Sequence, residues 1–203
     1  MNSIKSSILM RIRRKGRGSA FTAKDFLDIG TRGSVDVALS TLASAGTIRR
    51  VCRGVYDFPR NGELVDDLLA PDYDQVAQAI ARNTGSRIQP TGAVAANLLG
   101  LSQQVPARIV YLTDGRSRIV KFGSQSITFK RTRPRDLLPP GKSALVIQAL
   151  RFLGKEGITE DVMARLRSLL SPAERERLLK LARYSSDWIA DTTRRLVSGG
   201  EDG

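Results

Sequence analysis

Between Phe21 and Pro59 the chain reads FTAKDFLDIGTRGSVDVALSTLASAGTIRRVCRGVYDFP, and the order of signals here restricts the fold more than any other feature. Thr22 is placed to cap a short helix over 23–29, since its side-chain oxygen can take an unpaired N–H of the first turn and Asp25 lies three residues on. Gly30-Thr31-Arg32-Gly33 reads as a turn. Val35, Ala38, Leu39, Leu42 and Ala45 then recur at helical spacing, which predicts a helix over 34–45 with one apolar stripe. Its other face carries Arg32, Ser34, Asp36, Ser40, Thr41 and Ser44. Gly46 can take the left-handed conformation that ends a helix at no steric cost. Two strand-like runs, 47–51 and 55–58, flank Cys52-Arg53-Gly54 and predict a hairpin turning at Arg53-Gly54.

A helix, a turn, a second helix with a short polar outer face and a basic hairpin make up a winged helix-turn-helix, an object that fits the major groove of DNA. Residues 3–15 supply the first helix, with Ile4, Ile8, Leu9 and Ile12 on one face, and Ser19-Ala20-Phe21 can add a third strand. Base-edge contacts are expected from Thr31, Arg32, Ser34 and Ser40, because readout needs hydrogen-bonding side chains near the start of the second helix. Phosphate contacts are expected from Arg49, Arg50 and Arg53 on the hairpin and from Arg13, Arg14, Lys15 and Arg17 after the first helix.

Charge agrees with that reading. The 203 residues hold 33 Lys and Arg against 20 Asp and Glu, a net +13 that points to a polyanionic partner. Twelve of the bases and only four of the acids precede residue 63, so the excess is concentrated in the first third. There is no histidine and one cysteine, Cys52, which removes imidazole-based catalysis, a zinc site and any internal disulfide. No apolar run approaches membrane-spanning length, and Met1-Asn2-Ser3-Ile4-Lys5 lacks a signal-peptide core; a cytoplasmic location without membrane association is expected.

Composition changes at Asn61-Gly62, and the expected domains are 1–62 and 63–203. The second is read as mixed: helices at 72–83 and 93–99, then strands at 108–112, 118–122 and 126–131 forming an antiparallel meander, then further helices. The overall class is therefore α+β. Arg116, Arg118, Lys121, Lys130, Arg131 and Arg133 around the meander suggest a second anion-binding surface on this far domain. The apolar segment 143–153 is expected to be its central helix, and Ser171-Pro172-Ala173-Glu174 is a capping box with proline at the first helical position.

Three features imitate chemistry. Pro140-Gly141-Lys142-Ser143 resembles the end of a phosphate-binding loop, but Asp136 stands where the earlier glycine is needed and Pro139 and Pro140 lack the required N–H groups. Asp72 and Asp74 are better placed to open a helix than to hold a metal, and Cys52 reads as a packing thiol. No enzyme activity, metal or cofactor is expected.

The segment DFLDIGTRGSVDVALSTLASAGTIRRVCRGVYDFP, with AIARNTGSRIQPTGAVAANLLGLSQQVPARIVYLTDG and ITFKRTRPRDL, resembles AbiEi-type antitoxins. The resemblance implies a bacterial type IV toxin–antitoxin, or abortive-infection, system. In such systems a nucleotidyltransferase-like toxin is counteracted without a stable complex. The antitoxin represses its own operon by binding upstream repeats in double-stranded DNA, pairing on that DNA in a state the sequence leaves open. A basic winged-helix protein associated with RNA or the ribosome is the alternative.

Overall fold

The computed structural model describes residues 3–62, 68–104 and 106–199. Part of the acidic connection expected at 64–71, and the tail after residue 199, lie outside them. The chain is α+β, with eight α-helices among the described residues, one antiparallel sheet and one mixed sheet. None of these helices is long and apolar enough to cross a membrane. Contacts divide the chain into two compact units, Met1–Ile88 with Ser117–Thr128, and Gln89–Arg116 with Phe129–Gly203. These units differ from a division at residue 62: the next helix, and a hairpin more than fifty residues later, go with the first.

In the first unit, α1 (Ile4–Lys15) is capped by Ser3 and buries Ile8 and Ile12. After it comes β1 (Ala20–Thr22), then a single 3₁₀ turn (Ala23–Phe26) where an α-helix over 23–29 is expected. The turn stays short because Asp25 folds back onto the Thr22 N–H (2.8 Å) and Ile29 N–H bonds three residues back to Phe26 (2.9 Å). Next, α2 (Arg32–Ser44) turns its Val35, Ala38, Leu39 and Leu42 stripe inward. Gly46, at φ +69°, lets the chain leave, with Thr47 N–H returning to Leu42 C=O.

The hairpin β2 (Arg49–Cys52) and β3 (Val55–Asp57) turns at Arg53-Gly54, where Gly54 has φ +75°. A bulge between Arg50 and Cys52 shifts its register. Antiparallel pairing gives the order β1-β3-β2, so β2 is an edge strand. Ile8, Ile12, Phe21, Phe26, Val35 and Leu39 make the core, with the Phe21 and Phe26 rings edge-on at 5.5 Å. Finally α3 (Tyr73–Thr84), opened by Asp72 accepting from the Asp74 and Gln75 N–H groups, packs on β1 and β3. Its Arg82 binds Asp25 (2.9 Å) and the Ala20 carbonyl (2.9 Å), which is why α3 belongs to this unit.

The mixed sheet comprises β4 (Ile88–Pro90), β5 (Ile109–Thr113), β6 (Arg118–Phe122) and β7 (Gln125–Arg131), in the order β4-β5-β7-β6. An antiparallel meander would place β6 beside β5. Instead β7 lies between them and ends alongside β5, with Thr132 N–H donating to Thr113 C=O (2.8 Å).

The second unit is built around α5 (Lys142–Leu153), which packs on α4 (Gly92–Leu98), α7 (Pro172–Ala182) and α8 (Asp187–Ser198); α6 (Glu160–Leu169) packs on α8. Its core includes Ala95, Ala96, Ile147, Leu150, Met163 and Leu178. The α4–α5 approach needs a glycine: a Cβ on Gly92 would collide with Phe152 Cβ and come within 3.0 Å of the Gln148 carbonyl. α5 is not buried all round, since Phe152 is exposed. The Ser171–Glu174 capping box forms as its sequence directs.

Candidate nucleic-acid interface

The outer face of α2 is set by its start. The helix begins two residues earlier than its apolar stripe implies, with Thr31 as N-cap and Arg32 in the first turn. Thr31 Oγ1 accepts from Ser34 N–H (3.4 Å), and Ser34 Oγ donates to Thr31 C=O (2.9 Å). Two of the four expected base readers are thereby occupied in capping. Arg32 projects from this cap, its Nε donating to Asp36 (2.8 Å) while the pair stays exposed. Ser40 is exposed, as is Val37 at 67%. Val37 is absent from the polar face expected for α2, although its offset from the apolar stripe is readable. The open face is thus Arg32, Asp36, Val37, Ser40, Thr41 and Ser44, one arginine paired with one exposed carboxylate among short side chains.

The hairpin cations separate into two kinds. Arg49 grips Asp57 with both ends of its fork, Nε to Oδ1 (3.1 Å) and an NH2 to Oδ2 (2.6 Å), while its third nitrogen donates to Leu69 C=O (3.0 Å). Asp57 is 1% exposed, so Arg49 compensates a buried carboxylate and is not presented outward as a phosphate contact requires. Arg50 and Arg53 are exposed and make no side-chain hydrogen bond or ion pair among the described residues. Burial pushes the Cys52 thiol up from its ordinary range, against the pull of the nearby Arg50 and Arg118 charges.

The end of α1 sorts similarly. Arg13, Arg14 and Lys15 fill its last turn, where cations suit the helix dipole, and all three are exposed. Arg17 lies over the Phe58 ring (4.8 Å) and donates to Pro59 C=O (2.8 Å), which fastens the loop after α1 to the chain leaving β3. Arg11, not among the expected contacts, forms a bidentate pair with Asp28 (2.7 and 2.6 Å) that holds the Asp28 carboxyl below the usual range. Burial pushes Asp25 up, but hydrogen bonds from Arg82 and the Thr22 N–H outweigh it and leave the carboxyl below its ordinary range.

The six cations of the expected second surface are divided between the two units. Arg118 and Lys121 belong to the first unit, where β6 lies beside β2 and Arg118 donates to Thr84 Oγ1 (3.4 Å). Arg116, Lys130, Arg131 and Arg133 belong to the second. There Arg131 and Arg133 line a cavity of about 390 Å³ that also includes Asp114.

The segment that imitates a phosphate-binding loop has structural work. Lys142 Nζ donates to Leu169 C=O (3.0 Å) and Ser143 Oγ to Glu174 C=O (2.9 Å), so both side chains tie α5 to its neighbours. Among the described residues no three His, Cys, Asp or Glu side chains cluster as a metal site would need.

Residues 7–178 match a family described as a family of unknown function, DUF6088. No curated protein matches the chain. Among solved structures, the RV2827C protein from Mycobacterium tuberculosis is similar at 18% identity with a TM-score of 0.43, covering 99% of this chain and 78% of that one.

Proposed function

The chain belongs to the DUF6088 family of unknown function, and from the groups its first unit leaves exposed we propose that it is a sequence-specific DNA-binding autorepressor. The first unit acts as a winged helix, with α2 as the recognition helix and the β2–β3 hairpin as the wing. Arg32 and Ser40 read base edges, Arg32 through the nitrogens that Asp36 leaves unengaged, and Thr31 and Ser34 hold the cap that aims Arg32. Arg50 and Arg53 on the wing, with Arg13, Arg14 and Lys15 at the end of α1, neutralise phosphates.

The observation carrying this reading is the sorting of the cations. Arg11, Arg17 and Arg49 serve internal partners, whereas Arg13, Arg14, Lys15, Arg50 and Arg53 stay exposed with no side-chain hydrogen bond or ion pair among the described residues. Exposed cations held at element ends match a polyanion better than they serve stability, since surface ion pairs contribute at most about 1 kcal/mol. The resemblance to AbiEi-type antitoxins supports a wider role: antitoxin of a type IV system, with a nucleotidyltransferase-like toxin opposed without a stable complex.

A mobility-shift titration against the DNA upstream of the gene, with random duplex and RNA hairpins as competitors at two salt concentrations, tests the proposal. Retention of the upstream duplex against excess random DNA is expected. Equal displacement by every competitor would leave generic polyanion binding, and preferential displacement by RNA would overturn the DNA reading.

A further inference from the structure

An exposed valine stands on the outer face of α2. At about 100° per residue, Gly33, Val37, Ser40 and Ser44 lie opposite the buried Val35, Ala38, Leu39 and Leu42, with Arg32 and Asp36 to one side and Thr41 to the other. A Cβ on Gly33 would meet nothing within 4 Å, so the middle of this face is open. Val37 is 67% exposed, a large apolar group on a face that is otherwise polar or small. Thr41, one turn on, is exposed and donates its hydroxyl proton to Val37 C=O (2.8 Å), which commits that proton to the helix. The face thus runs from the Arg32–Asp36 pair at one edge, through the serine hydroxyls, to Val37 and Thr41 at the other.

Neither folding nor protein docking accounts for this valine. It lies outside the core of the first unit, and valine forms helix less readily than alanine or leucine. One apolar side chain among serines is far smaller than the roughly 800 Å² that each partner buries in a stable protein interface. A duplex offers a matching group, because of the four bases only thymine carries a methyl into the major groove, where apolar side chains contact it. We infer that Val37 reads the 5-methyl group of a thymine in the sequence that α2 contacts. This inference rests on the DNA-binding reading above. It adds a preference that the hydrogen bonds of Arg32 and Ser40 do not supply, since uracil presents the same O4 acceptor without the methyl.

The test uses the full chain and two forms of the upstream duplex, one natural and one with every thymine replaced by deoxyuridine, which removes the methyl and keeps every hydrogen-bonding group. Binding of the parent and of Val37→Ala is measured on both, with a random duplex of equal length as reference. Val37 is exposed, so Val37→Ala should keep the parent's unfolding midpoint. The parent should bind the deoxyuridine duplex about fourfold more weakly for each methyl contacted. Val37→Ala should lose most of that difference, by binding the natural duplex more weakly. An equal difference in parent and variant would assign the effect to duplex shape and overturn the inference. A parent that does not distinguish the two forms would also overturn it. In both cases a parent preference for upstream over random duplex leaves the recognition-helix reading standing. A parent that binds upstream and random duplexes alike overturns both.

Discussion

Arg49 offers the sharpest test of the site geometry, because sequence and structure assign it different work. Its guanidinium makes two hydrogen bonds to a carboxylate whose residue is 1% exposed and a third to the Leu69 carbonyl. Truncation to alanine removes all three and strands the Asp57 charge beneath the hairpin. Breaking a buried pair from one side costs about 3–5 kcal/mol, and the 28% exposure of the Arg49 side chain admits some water, so about 3 kcal/mol is expected. A surface pair would cost about 1 kcal/mol or less. Replacing both partners by apolar residues, as in Arg49→Met with Asp57→Leu, should return stability to within about 1 kcal/mol of the parent, because no charge is left buried. Urea unfolding followed by far-ultraviolet circular dichroism measures the cost, and amide exchange in β2 and β3 localises it. Parent stability in Arg49→Ala, with the DNA salt slope reduced by about one unit, would refute the reasoning and return Arg49 to the phosphate contacts.

Other consequences follow from particular residues. Asp25 titrates below its ordinary range in the folded protein, so its contribution is present above that range and is lost as pH falls below about 4; Arg82→Ala should flatten the acid limb of an unfolding-versus-pH curve. Gly92→Ala should destabilise the second unit by about 1–3 kcal/mol through overpacking against α5, read from thermal unfolding at the Trp188 fluorescence. Gly46→Ala, at φ +69°, should cost about 1 kcal/mol in urea unfolding, since alanine is strained in that conformation. Cys52 should react with thiol reagents more slowly than a free cysteine at neutral pH and accelerate only in alkali, as burial raises its thiol.

Much of the first unit was readable because its determinants are local. The α2 stripe, the exit at Gly46, the Arg53-Gly54 turn and the third strand near Ala20 are each fixed by residues a few positions apart. The Asp72 and Ser171 caps are written the same way. What escaped depends on partners distant in sequence. Nothing near Arg49 announces that it faces Asp57 across the hairpin, or that Arg11 reaches Asp28. Alternation identifies β5, β6 and β7 as strands but not their order, which sets β7 between the other two. Charge counting grouped Arg118 with Arg131, while chain packing sends Arg118 to the first unit. Cations are abundant in this chain, and only the fold distinguishes those engaged inside it from those left for a ligand.

The most direct measurement of the central claim is fluorescence anisotropy of the parent, Arg32→Ala and Arg53→Ala on the upstream duplex and on a random duplex of equal length. The account predicts that Arg53→Ala weakens both duplexes by the same factor and lowers the salt slope by about one unit, while Arg32→Ala weakens the upstream duplex selectively and erodes its preference over random. Identical profiles for the two variants on the two duplexes would contradict the assignment of α2 to base readout and of the hairpin to the backbone.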